Sequence, residues 1–92
     1  MTHPGAVLLE EFMKPLGLSA NAVATALRVP ATRIGEIVHG DRAVSADTAA
    51  RLARYFKTTA EFWMNLQSNY DLSRVYAEKG KEIEADIRPH AA

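Results

Sequence analysis

Three polar residues that could read DNA bases follow Pro30, at Thr32, Arg33 and Glu36. Proline pre-sets the first turn of a helix and disfavours helix in the residue before it, so a helix is predicted to begin here. Ile34 marks the buried face of that helix, and the three polar side chains are predicted to point outward. Because arginine can donate two hydrogen bonds to guanine in the major groove, these three are the candidate base-reading residues.

A second group of residues around the same helix could hold phosphates. Ser19 and Asn21 lie at the start of the preceding helix, where free backbone N–H groups favour an anion. Arg28, His39 and Arg42 supply side chains that can donate to phosphate oxygens, and such contacts carry no base information. Taken one at a time, each of these five is more often a solvated surface residue than a contact.

The sequence contains no recognisable catalytic or metal-binding constellation. His3, His39 and His90 are far apart along the chain, and no two of them have the spacing of metal ligands on a helix. Glu10 and Glu11 are adjacent, so on a helix they point apart and suit a solvated edge. Since cysteine, a glycine-rich phosphate loop and a nucleophile motif are also missing, we expect no catalytic residue, metal or cofactor, and no enzyme activity.

Apolar residues recur at helical spacing and predict an all-α fold of five helices. The first spans about residues 5–14, with Leu8, Phe12 and Leu16 on one face, the third about 31–38, and the fifth about 60–79. Residues 1–80 are predicted to form one domain, and residues 81–92 a short strand or a mobile tail. The predicted N-caps are Ser19 for the second helix, Ser45 or Asp47 for the fourth, and Thr58 or Thr59 for the fifth.

The stretch from residue 20 to residue 38 predicts two helices around a sharp turn. Ala24 faces the crossing point, where a larger side chain would force the helices apart. This pattern is typical of a helix-turn-helix, whose second helix protrudes far enough to enter a major groove. An ordinary helical hairpin is the alternative that the apolar pattern leaves open. The predicted contacts between the two helices come from Val23, Leu27, Val29, Ile34 and Ile37.

Every aromatic residue except Phe12 lies between Tyr55 and Tyr76. A core of this size cannot easily hide all of them, so some are predicted to cover a second subunit. A twofold homodimer built on the fifth helix would place two recognition helices about 34 Å apart, one turn of DNA. The predicted interface residues are Phe62, Trp63, Leu66 and Tyr70.

Composition fits one small cytoplasmic domain, while the zero net charge taken alone argues weakly against a nucleic-acid binder. The 92 residues, 48% of them hydrophobic and 24% charged, fit one folded domain. Basic and acidic residues cancel over the whole chain, yet residues 28–57 carry six basic against three acidic side chains, which predicts a local basic surface. No secretion signal or membrane-spanning run is recognisable, so we expect a cytoplasmic protein without a membrane partner.

The chain resembles a known family over residues 3–72. The specific segments are HPG at residues 3–5 and EFWMNLQSNYDL at residues 61–72, whereas many repressors share the helix-turn-helix alone. These segments look like those of the HigA/VapI-type antitoxins, a branch of the phage-repressor-like helix-turn-helix regulators. The resemblance implies a homodimer that represses its own operon at a palindromic operator in double-stranded DNA. It also implies a partner toxin that resembles the RelE-like ribosome-dependent mRNA interferases.

Two other functions fit the same residues, and one residue departs from the family pattern. A free-standing repressor without a toxin would look the same, and a protein-interaction module could use the aromatic fifth helix without binding DNA.

The turn position that usually favours glycine is Arg28 here. A left-handed backbone at Arg28 would be strained by roughly 1–2 kcal/mol. The alternatives are a turn whose geometry differs slightly from the family pattern, or an arginine that is retained because it contacts a phosphate.

Overall fold

Five helices form the fold in a computed structural model, which describes residues 1–91. No strand is present among those residues, so the predicted all-α, five-helix architecture is confirmed. The helices are α1 at residues 4–16, α2 at Ala20–Leu27, α3 at Ala31–Val38, α4 at Ala46–Phe56 and α5 at Ala60–Asp86.

Hydroxyl side chains begin three of the helices. The Oγ atoms of Ser19 and Ser45 accept hydrogen bonds from the backbone N–H three residues on, at 3.1 and 3.3 Å, and so cap α2 and α4. Thr59 caps α5 in the same way, at 3.1 Å. Each such cap satisfies a helix N–H that has no partner inside the helix, which contributes about 1 kcal/mol. Of the alternatives in the sequence, Ser45 and Thr59 are therefore the caps.

Helix α1 contains a wide π-type turn at Leu8–Met13, in which the Lys14 N–H donates to the Leu9 carbonyl. Pro15 follows this turn and has no N–H to donate, and its ring would crowd the carbonyl four residues earlier in a regular helix. We attribute the wide turn to this proline, because a wider turn relieves that crowding. Leu16 is 62% exposed, whereas Leu8 on the same predicted face is fully buried.

The core lies where α5 crosses α1 and α4 on one side and where α2 meets α3 on the other. Trp63 is fully buried at its centre, with its ring 5.1 Å from that of Phe12 on α1. The Trp63 Nε1 donates to Thr58 Oγ1 at 2.8 Å, so its one polar atom is satisfied. The other core residues are Leu8, Met13, Val23, Ala24, Leu27, Ile34, Ile37, Val44, Ala49 and Leu52.

Helix α5 continues well beyond the predicted end at residue 79. It runs to Asp86, so the prediction of a short strand or mobile tail at residues 81–92 is wrong for residues 81–86, and residue 92 of that prediction lies outside the described residues. The segment is rich in Glu, Lys and Ala, which have high helix propensity, and this outweighs its weak apolar pattern. The last buried residue of α5 is Gln67. The second half of this 27-residue helix therefore projects from the core and accounts for the 52 Å length of the molecule.

Candidate nucleic-acid interface

The orientation of α3 is set by two isoleucines. Ile34 and Ile37 are fully buried, which turns Thr32 outward to an exposed position. Arg33 and Glu36 lie at the edges of the outward face, with side chains 32% and 45% exposed. The three candidate base-reading residues thus share one side of α3, as the spacing predicts.

A left-handed residue makes the turn between α2 and α3. Arg28 has φ 62°, so of the alternatives for this turn the left-handed backbone is the one that the structure adopts. Its N–H donates to the Thr25 carbonyl at 3.2 Å, and the Val29 N–H donates to the Ala24 carbonyl at 3.0 Å. This is the Schellman arrangement, which usually has glycine in place of Arg28. The Arg28 side chain is exposed, and it forms no ion pair within residues 1–91.

The other candidate phosphate contacts border α3 and the start of α2. Ser19 uses its oxygen as the cap of α2, which leaves its hydroxyl proton available, and Asn21 beside it is exposed. His39 Nδ1 lies 2.7 Å from the Gly35 carbonyl, so Nδ1 carries the proton in that hydrogen bond. A donation from His39 Nε2 to a phosphate therefore requires a second proton on the ring. Arg42 Nη2 pairs with Glu36 at 3.1 Å.

Asp47, predicted only as a possible cap of α4, places its carboxylate between α3 and α4. Asp47 Oδ2 accepts from Arg51 Nε at 2.9 Å and lies 3.6 Å from Arg33 Nη1. Arg51 also donates from Nη1 to the Leu27 carbonyl at the end of α2, at 2.8 Å. Through Asp47 and Arg51, ion pairs and hydrogen bonds thus connect the candidate base reader Arg33 on α3 to α4 and to the end of α2.

The loop that carries Arg42 is fixed by a buried glutamine. Gln67 is 5% exposed, and its Oε1 accepts from the Val44 N–H at 2.7 Å. Its Nε2 donates to Asp71 at 2.9 Å, so the amide is satisfied at both ends. Gln67 was not among the predicted site residues. The available signal was a polar residue four positions after Trp63, on the same face of α5.

The N-terminal segment packs against the C-terminal end of α3. Gly5 packs against the Ile37 carbonyl so closely that a Cβ would overlap it. His3 Nδ1 accepts from the Gly5 N–H at 2.8 Å, and the His3 ring meets Tyr70 edge-on at 4.8 Å. Burial lowers the pKa of His3 below its ordinary 6.5, and the nearby carboxylates of Asp71 and Asp41 only partly oppose this. The HPG segment therefore joins α3 to α5.

The predicted dimer residues do not share one exposed surface. Trp63 is fully buried within its own subunit, so its prediction as an interface residue is wrong. Leu66 packs on the core and Tyr70 on His3, and both are only partly exposed. Phe62 is 37% exposed. Further exposed apolar side chains lie along the projecting half of α5, at Leu72, Val75, Tyr76 and Ile83.

Neither a metal-binding cluster nor a helix suited to crossing a membrane occurs in the described part of the chain. Among residues 1–91, no three His, Cys, Asp or Glu side chains come together as a metal ion would require. Over the same range no helix has both the length and the apolar character to cross a bilayer.

The fold and this surface define a helix-turn-helix protein. Residues 9–63 match the family model described as Helix-turn-helix, and the chain belongs to that family. Within it, the predicted resemblance to HigA/VapI-type proteins is confirmed. The chain is 52% identical over 77 residues to Virulence-associated protein I of Dichelobacter nodosus, covering 84% of this chain and 71% of that one.

Two antitoxins are among the similar proteins. The chain is 34% identical over 68 residues to Antitoxin HigA-1 of Vibrio cholerae, covering 74% of this chain and 64% of that protein. It superimposes on Pseudomonas aeruginosa antitoxin HigA, solved with the higBA promoter, with a TM-score of 0.94 and 49% identity. That match covers 98% of both chains.

Proposed function

We propose that this protein is a sequence-specific DNA-binding repressor and the antitoxin of a toxin–antitoxin module. The observation that carries the proposal is the outward face of α3, with Thr32 and Arg33 held there by buried isoleucines. That face belongs to a chain of which 98% superimposes on an antitoxin solved with promoter DNA. Repression then follows from occupation of the promoter of its own operon.

In this proposal α3 enters the major groove. Thr32, Arg33 and Glu36 read base edges, while Ser19 and Arg28 hold phosphates, together with Asn21, His39 and Arg42. The protein acts as a homodimer on a palindrome, with the interface on the exposed apolar side of α5 instead of at Trp63. The residues up to the middle of α5 form the DNA-binding domain.

The direct test is a titration of the protein with DNA from upstream of its gene and with a scrambled duplex, at several salt concentrations. We expect tighter binding to the upstream DNA at each concentration, and affinity that falls as salt rises because phosphate contacts release counterions. Equal affinity for both duplexes would contradict sequence-specific repression, and it would favour the protein-interaction module.

The antitoxin role requires a partner, for which we propose a RelE-like mRNA interferase encoded next to this protein. Neither of the proposed activities involves catalysis by this chain, and both take place in the cytoplasm. Expression of the neighbouring gene alone should arrest growth, and co-expression with this protein should restore it. If the neighbour is harmless, or stays toxic in this protein's presence, the protein is a free-standing repressor.

A further inference from the structure

We propose that Asp47 is a positioning residue that sets operator discrimination through the guanidinium of Arg33. The inference rests on the proposed function, because it concerns how the same surface distinguishes its operator from other DNA. Asp47 lies in the first turn of α4, outside the helix-turn-helix itself.

The carboxylate of Asp47 has a defined place relative to both helices of the motif. Arg51 donates to Asp47 from Nε and to the Leu27 carbonyl from Nη1, so one planar guanidinium joins Asp47 to the end of α2. Asp47 in turn faces Arg33 Nη1 on α3, at 3.6 Å. An arginine suits this role because its donors lie in a rigid fork.

The contact with Asp47 orients Arg33 without using up its donors. A separation of 3.6 Å is that of an ion pair and exceeds a direct hydrogen bond. Arginine has five N–H donors, so those directed away from Asp47 remain free for the two acceptors of guanine. Ordering the side chain before binding reduces the conformational entropy that the operator complex would otherwise lose.

The negative charge of Asp47 also disfavours the binding of DNA other than the operator. Asp47 is 60% exposed, and a phosphate that approached Arg33 would also approach this negative charge. Such repulsion weakens contacts between Arg33 and the DNA backbone, which are available in any sequence. Orientation favours the operator and repulsion disfavours other DNA, so both effects increase the ratio of the two affinities.

A purely structural role for Asp47 makes a different prediction. An aspartate in the first turn of α4 favours the helix through its macrodipole and through the ion pair with Arg51 four residues later. In that case its loss changes the melting temperature but leaves the ratio of operator to scrambled affinity unchanged. The ratio therefore separates the two roles.

The experiment compares Asp47→Asn with the matched control Glu61→Gln, which removes the carboxylate in the first turn of α5. Both are titrated with operator and scrambled DNA at one salt concentration, and folding is checked by thermal melting. We expect the affinity ratio to fall roughly two- to fivefold for Asp47→Asn, the range of an exposed ion pair, and to stay at the wild-type value for Glu61→Gln.

A double-mutant cycle with Arg33→Ala tests whether Asp47 acts through Arg33. In the Arg33→Ala background, Asp47→Asn should change both affinities by the same factor. An unchanged ratio in a folded Asp47→Asn variant would overturn the inference, as would an equal fall of the ratio with and without Arg33. If the wild type itself does not discriminate, the proposed function fails, and this inference fails with it.

Discussion

At the scale of single residues, His3 has an unusually constrained environment for a residue so near the N-terminus. Its Nδ1 must be free of a proton to accept from the Gly5 N–H, which is the cap of the first turn of α1. Burial also lowers the pKa of the ring. Both observations indicate that the folded protein holds His3 in its neutral form.

Stability should therefore fall on acidification. Because the pKa of His3 is lower in the folded than in the unfolded state, its contribution is fully present above the unfolded value of 6.5. It is lost as the pH falls from there through the folded value. Denaturant unfolding at a series of pH values should show this loss, and it should be smaller in His3→Asn, since asparagine caps a helix without titrating. Parallel pH profiles for the two proteins would contradict the assignment.

At the scale of the elements, the strain of the turn between α2 and α3 is measurable. Arg28→Gly should raise the free energy of unfolding by about 1 kcal/mol, because glycine adopts the left-handed conformation without strain. It should also weaken DNA binding if Arg28 holds a phosphate.

Lys57 provides the control, since it has φ 59° at the end of α4 and lies ten residues, about 15 Å of helix, from Asp47. Lys57→Gly should stabilise the fold to a similar degree and leave operator affinity unchanged. Equal effects of the two substitutions on DNA binding would show that Arg28 does not contact the DNA. Denaturant unfolding and DNA titration measure the two quantities.

The helices and the cap of α2 could be predicted from the sequence, because caps, proline and apolar spacing act within one or two turns. Ser19 is the predicted cap, whereas Ser45 and Thr59 were each one of two alternatives, and the His3 cap of α1 was not predicted. The end of α5 was missed because residues 80–86 have little apolar pattern, whereas their Glu, Lys and Ala residues favour a helix. Likewise, the wide turn in α1 depends on how the helix accommodates Pro15, which apolar spacing does not record.

The candidate site was only partly predictable for the same reason. The outward face of α3 follows from the spacing of Ile34 and Ile37. The roles of Asp47 and Gln67 depend on partners that are distant along the chain, on α3 and in the loop before α4. Trp63 was misassigned because a cluster of aromatic residues in the sequence does not show which of them packs inside the core of the subunit itself.

At the scale of the whole molecule, the dimer prediction can be separated from core packing by two substitutions. Trp63→Ala should destabilise the subunit by about 3–5 kcal/mol, because it leaves a cavity at the centre of the core. Tyr76→Ala, on the exposed side of α5, should leave subunit stability nearly unchanged but weaken self-association. Sedimentation at micromolar concentration would measure association. A wild type that sediments only as a 10.1 kDa species would contradict the dimer.

The central claim, that α3 reads the operator, is tested most directly by titrating Arg33→Ala and Arg42→Ala with operator and scrambled DNA. Arg33→Ala should reduce operator affinity by roughly 1–3 kcal/mol and scrambled affinity far less. Arg42→Ala should weaken both about equally and flatten the salt dependence, because a phosphate contact carries no base information. If folded Arg33→Ala keeps both wild-type affinities, or loses both by the same factor, Arg33 does not read bases and the account is contradicted.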